Sequence, residues 1–192
     1  MPPRKIAMNP MNLVPKKVFL TRGVGRSNTE LGSFEQALRD AGIAYCNLVY
    51  VSSIFPPGAK LIKREEGVKE LSAGQVVFCV MSKISSCEPS RKIAASVGLA
   101  IPKDRGWHGY LSEHHTYGQS KQEAGDYAED LAASMLASTL GIEFDSDAAW
   151  DSKEEYFRMS GKIVKTKNVT ATAEVDKKGK WTTVIATAVL VP

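Results

Sequence analysis

Apolar and polar positions recur with two different periods along the chain, and each change of period marks an element. Val18–Thr21 reads as a short strand, and Gly23-Val24-Gly25-Arg26-Ser27-Asn28 as a glycine-rich turn after it. Leu31, Phe34, Leu38 and Ala41 then follow at helical spacing, with Gly42 where a helix C-terminus favours glycine. Ala44–Val51 is a β-rich run that ends at Ser52-Ser53, and Pro56-Pro57-Gly58 breaks the chain soon after. Gln75–Lys83, Ile93–Ile101 and Gly109–His115 are three further strands by the same reading. The longest helix predicted spans Lys121–Leu140. Ser120 with Glu123 forms a capping box, Ala124, Ala128, Ala132 and Leu136 run beside a second stripe of Tyr127, Leu131 and Met135, and Gly141 stops it. Lys162–Val175 and Trp181–Val191 flank Asp176-Lys177-Lys178-Gly179-Lys180, which predicts a hairpin. Strands interrupted by two helices point to an α+β layered domain with mainly antiparallel sheets and helices outside.

Composition narrows the class. With 192 residues, 43% hydrophobic and 24% charged, the chain is expected to form a single domain over residues 1–192, without staples. The formal charge is +4, and all of it lies in residues 1–52, which hold 7 basic and 3 acidic residues. Residues 1–16 are expected to form a basic arm, too short and sparse in charge for a nucleic-acid tail, so no nucleic-acid partner is expected. Apolar runs such as Val76–Met81 and Ile185–Val191 fall far short of a membrane span, and the N-terminus has no apolar leader core. Cys46, Cys79 and Cys87 are odd in number and lack a CxxC spacing, each beside apolar residues where a buried thiol is expected. A soluble, cytoplasmic protein is the expectation.

Three candidate sites carry little. Gly23-Val24-Gly25 lacks the third glycine of a dinucleotide loop, so a tight turn is the better reading. His108, Glu113, His114 and His115 cluster, but neighbouring strand residues His114 and His115 face opposite ways, and no metal is expected. The acidic stretch Glu143–Glu155 lacks calcium-loop spacing and reads as a solvated surface.

Asn47–Gly58 carries more. Two serines close an apolar strand and a rigid Pro-Pro turn follows, so Ser52-Ser53 is pinned from both sides. If the strand continues that far, parity puts Asn47, Val49, Val51 and Ser53 on one face. A pinned Ser-Ser bond permits the Ser53 hydroxyl to attack the Ser52 carbonyl and form an ester. Backbone strain of about 1–3 kcal/mol would assist, and the Asn47 amide could hold the developing oxyanion. β-Elimination then frees Ser52 as a carboxylate and leaves residue 53 as a pyruvoyl group, dividing the chain into residues 1–52 and 53–192.

Asn47-Leu48-Val49, Ser52-Ser53-Ile54 and Pro56-Pro57 together resemble the self-cleavage segment of pyruvoyl-dependent arginine decarboxylases. Phe34, Ala37-Leu38 and Ala41-Gly42-Ile43 agree with that family. So do Ala94, Ser96-Val97, Ala100-Ile101-Pro102-Lys103-Asp104 and Gly109-Tyr110-Leu111 ahead of Glu113. The resemblance covers roughly residues 17 to 140 and implies an αββα sandwich, with three cleaved protomers sharing active sites between neighbours. It implies decarboxylation of L-arginine to agmatine through a Schiff base on the Ser53-derived pyruvoyl group, the sole cofactor. Asn47 matches the asparagine needed for processing and Glu113 the catalytic acid, for which a raised pKa and partial burial are expected. Glu35 stands where the family usually has aspartate near the substrate guanidinium. It is expected to line the substrate site with Leu38 and Ile54. The extra methylene leaves lysine or ornithine open as substrates, and an uncleaved oligomeric scaffold is the reading from another class.

Overall fold

A computed structural model describes residues 13–142 and 161–192. Expectations for residues 1–12 and for the acidic stretch lie outside the described residues. Two sheets stack face to face. The first has the order β2-β5-β9-β1-β4, built from β1 (Lys17–Ser27), β2 (Asn47–Tyr50), β4 (Lys60–Ile62), β5 (Val76–Ser86) and β9 (Trp181–Val191). The second has the order β3-β7-β6-β8, from β3 (Ile54–Phe55), β6 (Lys92–Pro102), β7 (Gly109–Tyr117) and β8 (Ile163–Glu174). Among the described residues only the outer pairs β1–β4 and β2–β5 are parallel. Helices α1 (Glu30–Ala41) and α2 (Arg64–Lys69) cover the five-stranded sheet, and α3 (Lys121–Thr139) covers the other. The result is an αββα sandwich.

Three apolar layers hold it together. Val18, Val80, Val184 and Ala188 of the first sheet meet Ile93, Val97, Leu99 and Leu111 of the second. Phe19, Cys79, Met81 and Val189 turn outward onto Ala37 and Ala41 of α1. Ala132, Leu136 and Ala137 of α3 pack on Ala100 and Ile163. The alanine stripe of α3 is buried, whereas Tyr127 and Leu131 of the second stripe are exposed. The Ser120–Glu123 capping box is formed in both directions, and Gly42 closes α1 at φ 79°.

Several expectations need correction. Gly23 and Gly25 are not in a turn, for β1 runs through them and pairs with β9 along its whole length. Their lack of a side chain serves close packing instead. A Cβ on Gly23 would lie 2.0 Å from the Ala37 carbonyl oxygen, and one on Gly25 2.0 Å from that of Ser33. The predicted hairpin does not form either. β8 pairs with β6 and β9 with β1 and β5, so the Asp176–Lys180 turn carries the chain from one sheet to the other. β9 is buried from Thr182 to Val191 because it lies at the centre of its sheet between α1 and the second sheet. β8 is an edge strand with polar residues outward. Lys16 is tied to the sheet, its amide donating to Val191 and its carbonyl accepting from Lys60. Of the cysteines only Cys79 is fully buried; Cys46 is half-buried and Cys87 exposed.

Candidate active site

The Ser52-Ser53 pair is where the chain crosses between the sheets. The Val51 amide donates to the Cys79 carbonyl at 3.0 Å, the last hydrogen bond to the five-stranded sheet. The Leu111 amide donates to the Ser53 carbonyl at 2.7 Å, the first to the four-stranded sheet. Only Ser52 lies between these anchors. Its carbonyl accepts from the Ile54 amide at 2.9 Å, an i to i+2 bond that closes a γ-turn around Ser53. No residue of this segment has a positive φ and no peptide bond is cis. The turn is therefore of the relaxed inverse kind, common at strand ends, and the expected backbone strain is not found in these dihedrals.

Ser53 is half-buried. The β3–β7 register pairs Ile54 with Tyr110 and Phe55 with Gly109, which brings Ser53 opposite Leu111. Glu113 lies two residues further along β7 and pairs with Val97. Leu111 and Val97 both face the inter-sheet core, so Ser53 and Glu113 are diagonal neighbours on one face, about 7 Å apart by strand geometry.

Glu113 is exposed in the single chain, less buried than expected. Enough protein surrounds it to desolvate the carboxylate, and this raises its pKa above the ordinary value; the nearby His115 charge opposes the rise. The carboxylate acts on its surroundings in turn. Burial first, then Glu113, pushes the Cys79 thiol up to about 12, which leaves it inert. Burial, Cys79 and Glu113 together raise Tyr50, whose hydroxyl meets the Met81 sulfur at 3.1 Å. Strand parity could have found His115, two residues from Glu113. Tyr50 and Cys79 come near only through the β2–β5 pairing, and the Leu111 amide carries no sequence signal. His114 faces the other way, its ring tilted 42° against that of Tyr127 with centroids 4.3 Å apart and bonded to Gln119 at 2.9 Å.

Other predicted residues lie apart from Ser53 in its own chain. β2 ends at Tyr50, so the parity linking Asn47 to Ser53 is interrupted. The Asn47 amide donates to the Gly74 carbonyl at 2.9 Å, about 16 Å along the chain from Ser52 at strand rise. Glu35 pairs with Arg39 at 2.5 Å on the solvent side of α1. Leu38 is partly buried against the layer beneath that helix. Ile54 points to the face opposite Ser53, because Phe55 fills the inter-sheet core.

A family model described as pyruvoyl-dependent arginine decarboxylase matches residues 17–192. The chain belongs to this family. It is 61% identical over 182 residues to a probable pyruvoyl-dependent arginine decarboxylase of Chloroherpeton thalassium, covering 95% of this chain and 100% of that protein. It is 57% identical to the pyruvoyl-dependent arginine decarboxylase of Nitrosopumilus maritimus, covering 94% and 98%, and 50% identical to that of Methanococcoides burtonii, covering 93% and 99%. Membership of the pyruvoyl-dependent arginine decarboxylases carries a carboxy-lyase activity on arginine and a covalent pyruvoyl group. The residues fit that group. A serine hydroxyl is available at position 53, the carbonyl of the same residue is held by the Leu111 amide, and a carboxyl of raised pKa shares its face.

Proposed function

We propose that this chain cuts itself between Ser52 and Ser53 and then converts L-arginine to agmatine and carbon dioxide. The observation that carries the reading is the Ser52-Ser53 crossing between the sheets, with Glu113 diagonal to Ser53. When formed, the pyruvoyl ketone supplies an electron sink next to the substrate carbon that loses its carboxylate. The Leu111 amide holds the adjoining carbonyl oxygen of residue 53, where negative charge collects, and so acts as a fixed dipole. The protonated Glu113 carboxyl returns a proton to the substrate's α-carbon, and its raised pKa keeps that proton available towards neutral pH.

Cleavage leaves one domain of two chains. Residues 1–52 supply β1, α1 and β2, and β1 is paired along its length with β9 at the sheet centre. The cut bond belongs to neither ladder, so the anchors from Val51 and Leu111 survive it. Within its own chain Asn47 is a positioning residue for processing, tying the start of β2 to the turn before β5.

Three protomers sharing sites would let a neighbouring copy bring Glu35 and Leu38, which lie on α1, to Ser53, while Ile54 stays beside Ser53 in its own chain with its side chain on the opposite face. Edge strand β2 favours such an assembly, because Val49, Tyr50 and neighbouring Val76 are exposed there. No described helix is long and apolar enough to cross a membrane, and three unpaired cysteines favour the cytoplasm.

Intact mass of the denatured protein tests the reading. Two chains divided after Ser52 are expected, the larger with a pyruvoyl end, and Ser53→Ala should give one inactive chain. A cut in Ser53→Ala, or an uncut but active wild type, overturns it.

A further inference from the structure

Self-cleavage needs a donor at the Ser52 carbonyl oxygen, since attack by the Ser53 hydroxyl turns it into an oxyanion. The side-chain amide of Asn47, the donor expected from the sequence, is bonded to Gly74. The Ser52 carbonyl instead accepts from the backbone amide of Ile54 at 2.9 Å. Strand geometry aims that amide. Residues on an antiparallel edge strand turn alternate N–H groups toward their partner. Leu111 bonds the carbonyl of Ser53, so the hydrogen-bonded pairs of β3 and β7 are those of residues 53 and 55, and the Ile54 N–H points away from β7. Among the described residues β3 is the edge of its sheet, with no further strand beyond it. The outward amide is left to the Ser52 oxygen.

We propose that the Ile54 backbone N–H is the oxyanion donor for self-cleavage, built into the precursor by the inverse γ-turn at Ser53. The Ser53 Oγ forms a bond to the Ser52 carbonyl carbon, and the carbonyl π pair moves onto the oxygen facing the Ile54 N–H. Collapse breaks the carbon–nitrogen bond, the hydroxyl proton ends on the Ser53 nitrogen, and an ester remains. The Leu111 bond to the Ser53 carbonyl prevents the turn from unwinding at its other end. This assignment rests on the self-cleavage reading and adds to it which group activates the carbonyl.

The test is to replace the Ile54 amide by the corresponding ester, using the α-hydroxy acid analogue of isoleucine in the full chain. That change removes the N–H and keeps the side chain. Cleavage, followed by intact mass, should slow 10²–10³-fold, the usual effect of losing one oxyanion donor. Uncut Ile54→Pro, which lacks the N–H and holds no introduced ester, should resist hydroxylamine, because the block precedes ester formation between Ser52 and Ser53. An ester at Phe55, an amide of the same short strand not aimed at Ser52, controls for lost strand stability and should slow cleavage much less. Ile54→Pro, which also removes the N–H, is expected to follow the Ile54 ester, with melting within a few degrees of the Ser53→Ala precursor. Cleavage of the Ile54 ester within threefold of wild type, or equal slowing by the Phe55 ester, overturns the assignment while leaving self-cleavage standing. Failure of the wild type itself to cut overturns both.

Discussion

At the scale of single residues the chemistry turns on how far the protein lets a carboxyl keep its proton. Burial raises the Glu113 pKa and the His115 charge pulls it back, so two opposed and separable causes set the proton affinity of the carboxyl proposed as the acid. Decarboxylation should fall as pH rises through the raised value, at higher pH than an ordinary carboxylate would give. Glu113→Gln should still cleave yet lose that limb together with most turnover. His115→Gln removes the opposing charge and should move the limb upward in a pH–kcat profile; a downward move would contradict the assigned cause. The stability linkage has the same direction. A carboxyl whose pKa is raised by folding stabilises the native state at pH below the ordinary value, and that contribution is lost as pH rises through the folded value. Glu35 is a different case. Its ion pair with Arg39 is exposed and spaced i, i+4, worth about 0.5 kcal/mol or less, so giving it up for the substrate guanidinium, as the proposed role requires, would cost little.

At the scale of elements, missing side chains set how closely helices approach the sheets. Gly25 faces α1, and a Cβ there would also lie 2.4 Å from the Ala37 nitrogen. Gly98 plays the same part on the other side, where a Cβ would sit 2.0 Å from the Ala128 carbonyl oxygen of α3 and where Ser112 donates to that same carbonyl. Backbone cannot yield as a flexible side chain would. Gly25→Ala should therefore destabilise by roughly 3 kcal/mol, lowering the melting temperature by roughly 6–12 °C at this chain length. The measurement belongs in the Ser53→Ala background, where the chain stays whole. A shift under a degree would mean that α1 moves freely on β1. Helical periodicity and the capping box made α1 and α3 legible beforehand. The glycines were misread because Gly-X-Gly is locally identical in a turn and in a strand under a helix.

At the scale of the whole molecule the cut and the assembly answer to different forces. Cleavage adds a carboxylate at Ser52 and makes no amine, so the formal charge falls from +4 by one. The field stays weak, and capture of a cationic substrate depends on local carboxylates. The proposed trimer would assemble through the apolar edge around β2, where Val49, Tyr50 and Val76 are exposed. Light scattering should give the mass of three protomers, and Val76→Lys, a charge at a position 58% exposed in the single chain, should shift it toward monomer with loss of turnover. A wild type that is monomeric and fully active would overturn the shared-site arrangement.

Much of the chain was determined by its own sequence. Strand and helix character and the cap at Ser120 follow from local periodicity and local chemistry, which need no partner to be read. The tertiary structure decided everything that depends on a partner. β9, apolar on both faces, is compatible with any central position, and only the burial offered by α1 and the second sheet drew it away from β8. Asn47 carries an amide that serves equally as strand anchor or oxyanion donor, and the nearness of the Gly74 carbonyl made it an anchor. The Ile54 N–H has no side chain to announce it. Its aim came from the strand pairing of β3 with β7, because periodicity records which side of a segment is buried but not what lies against it.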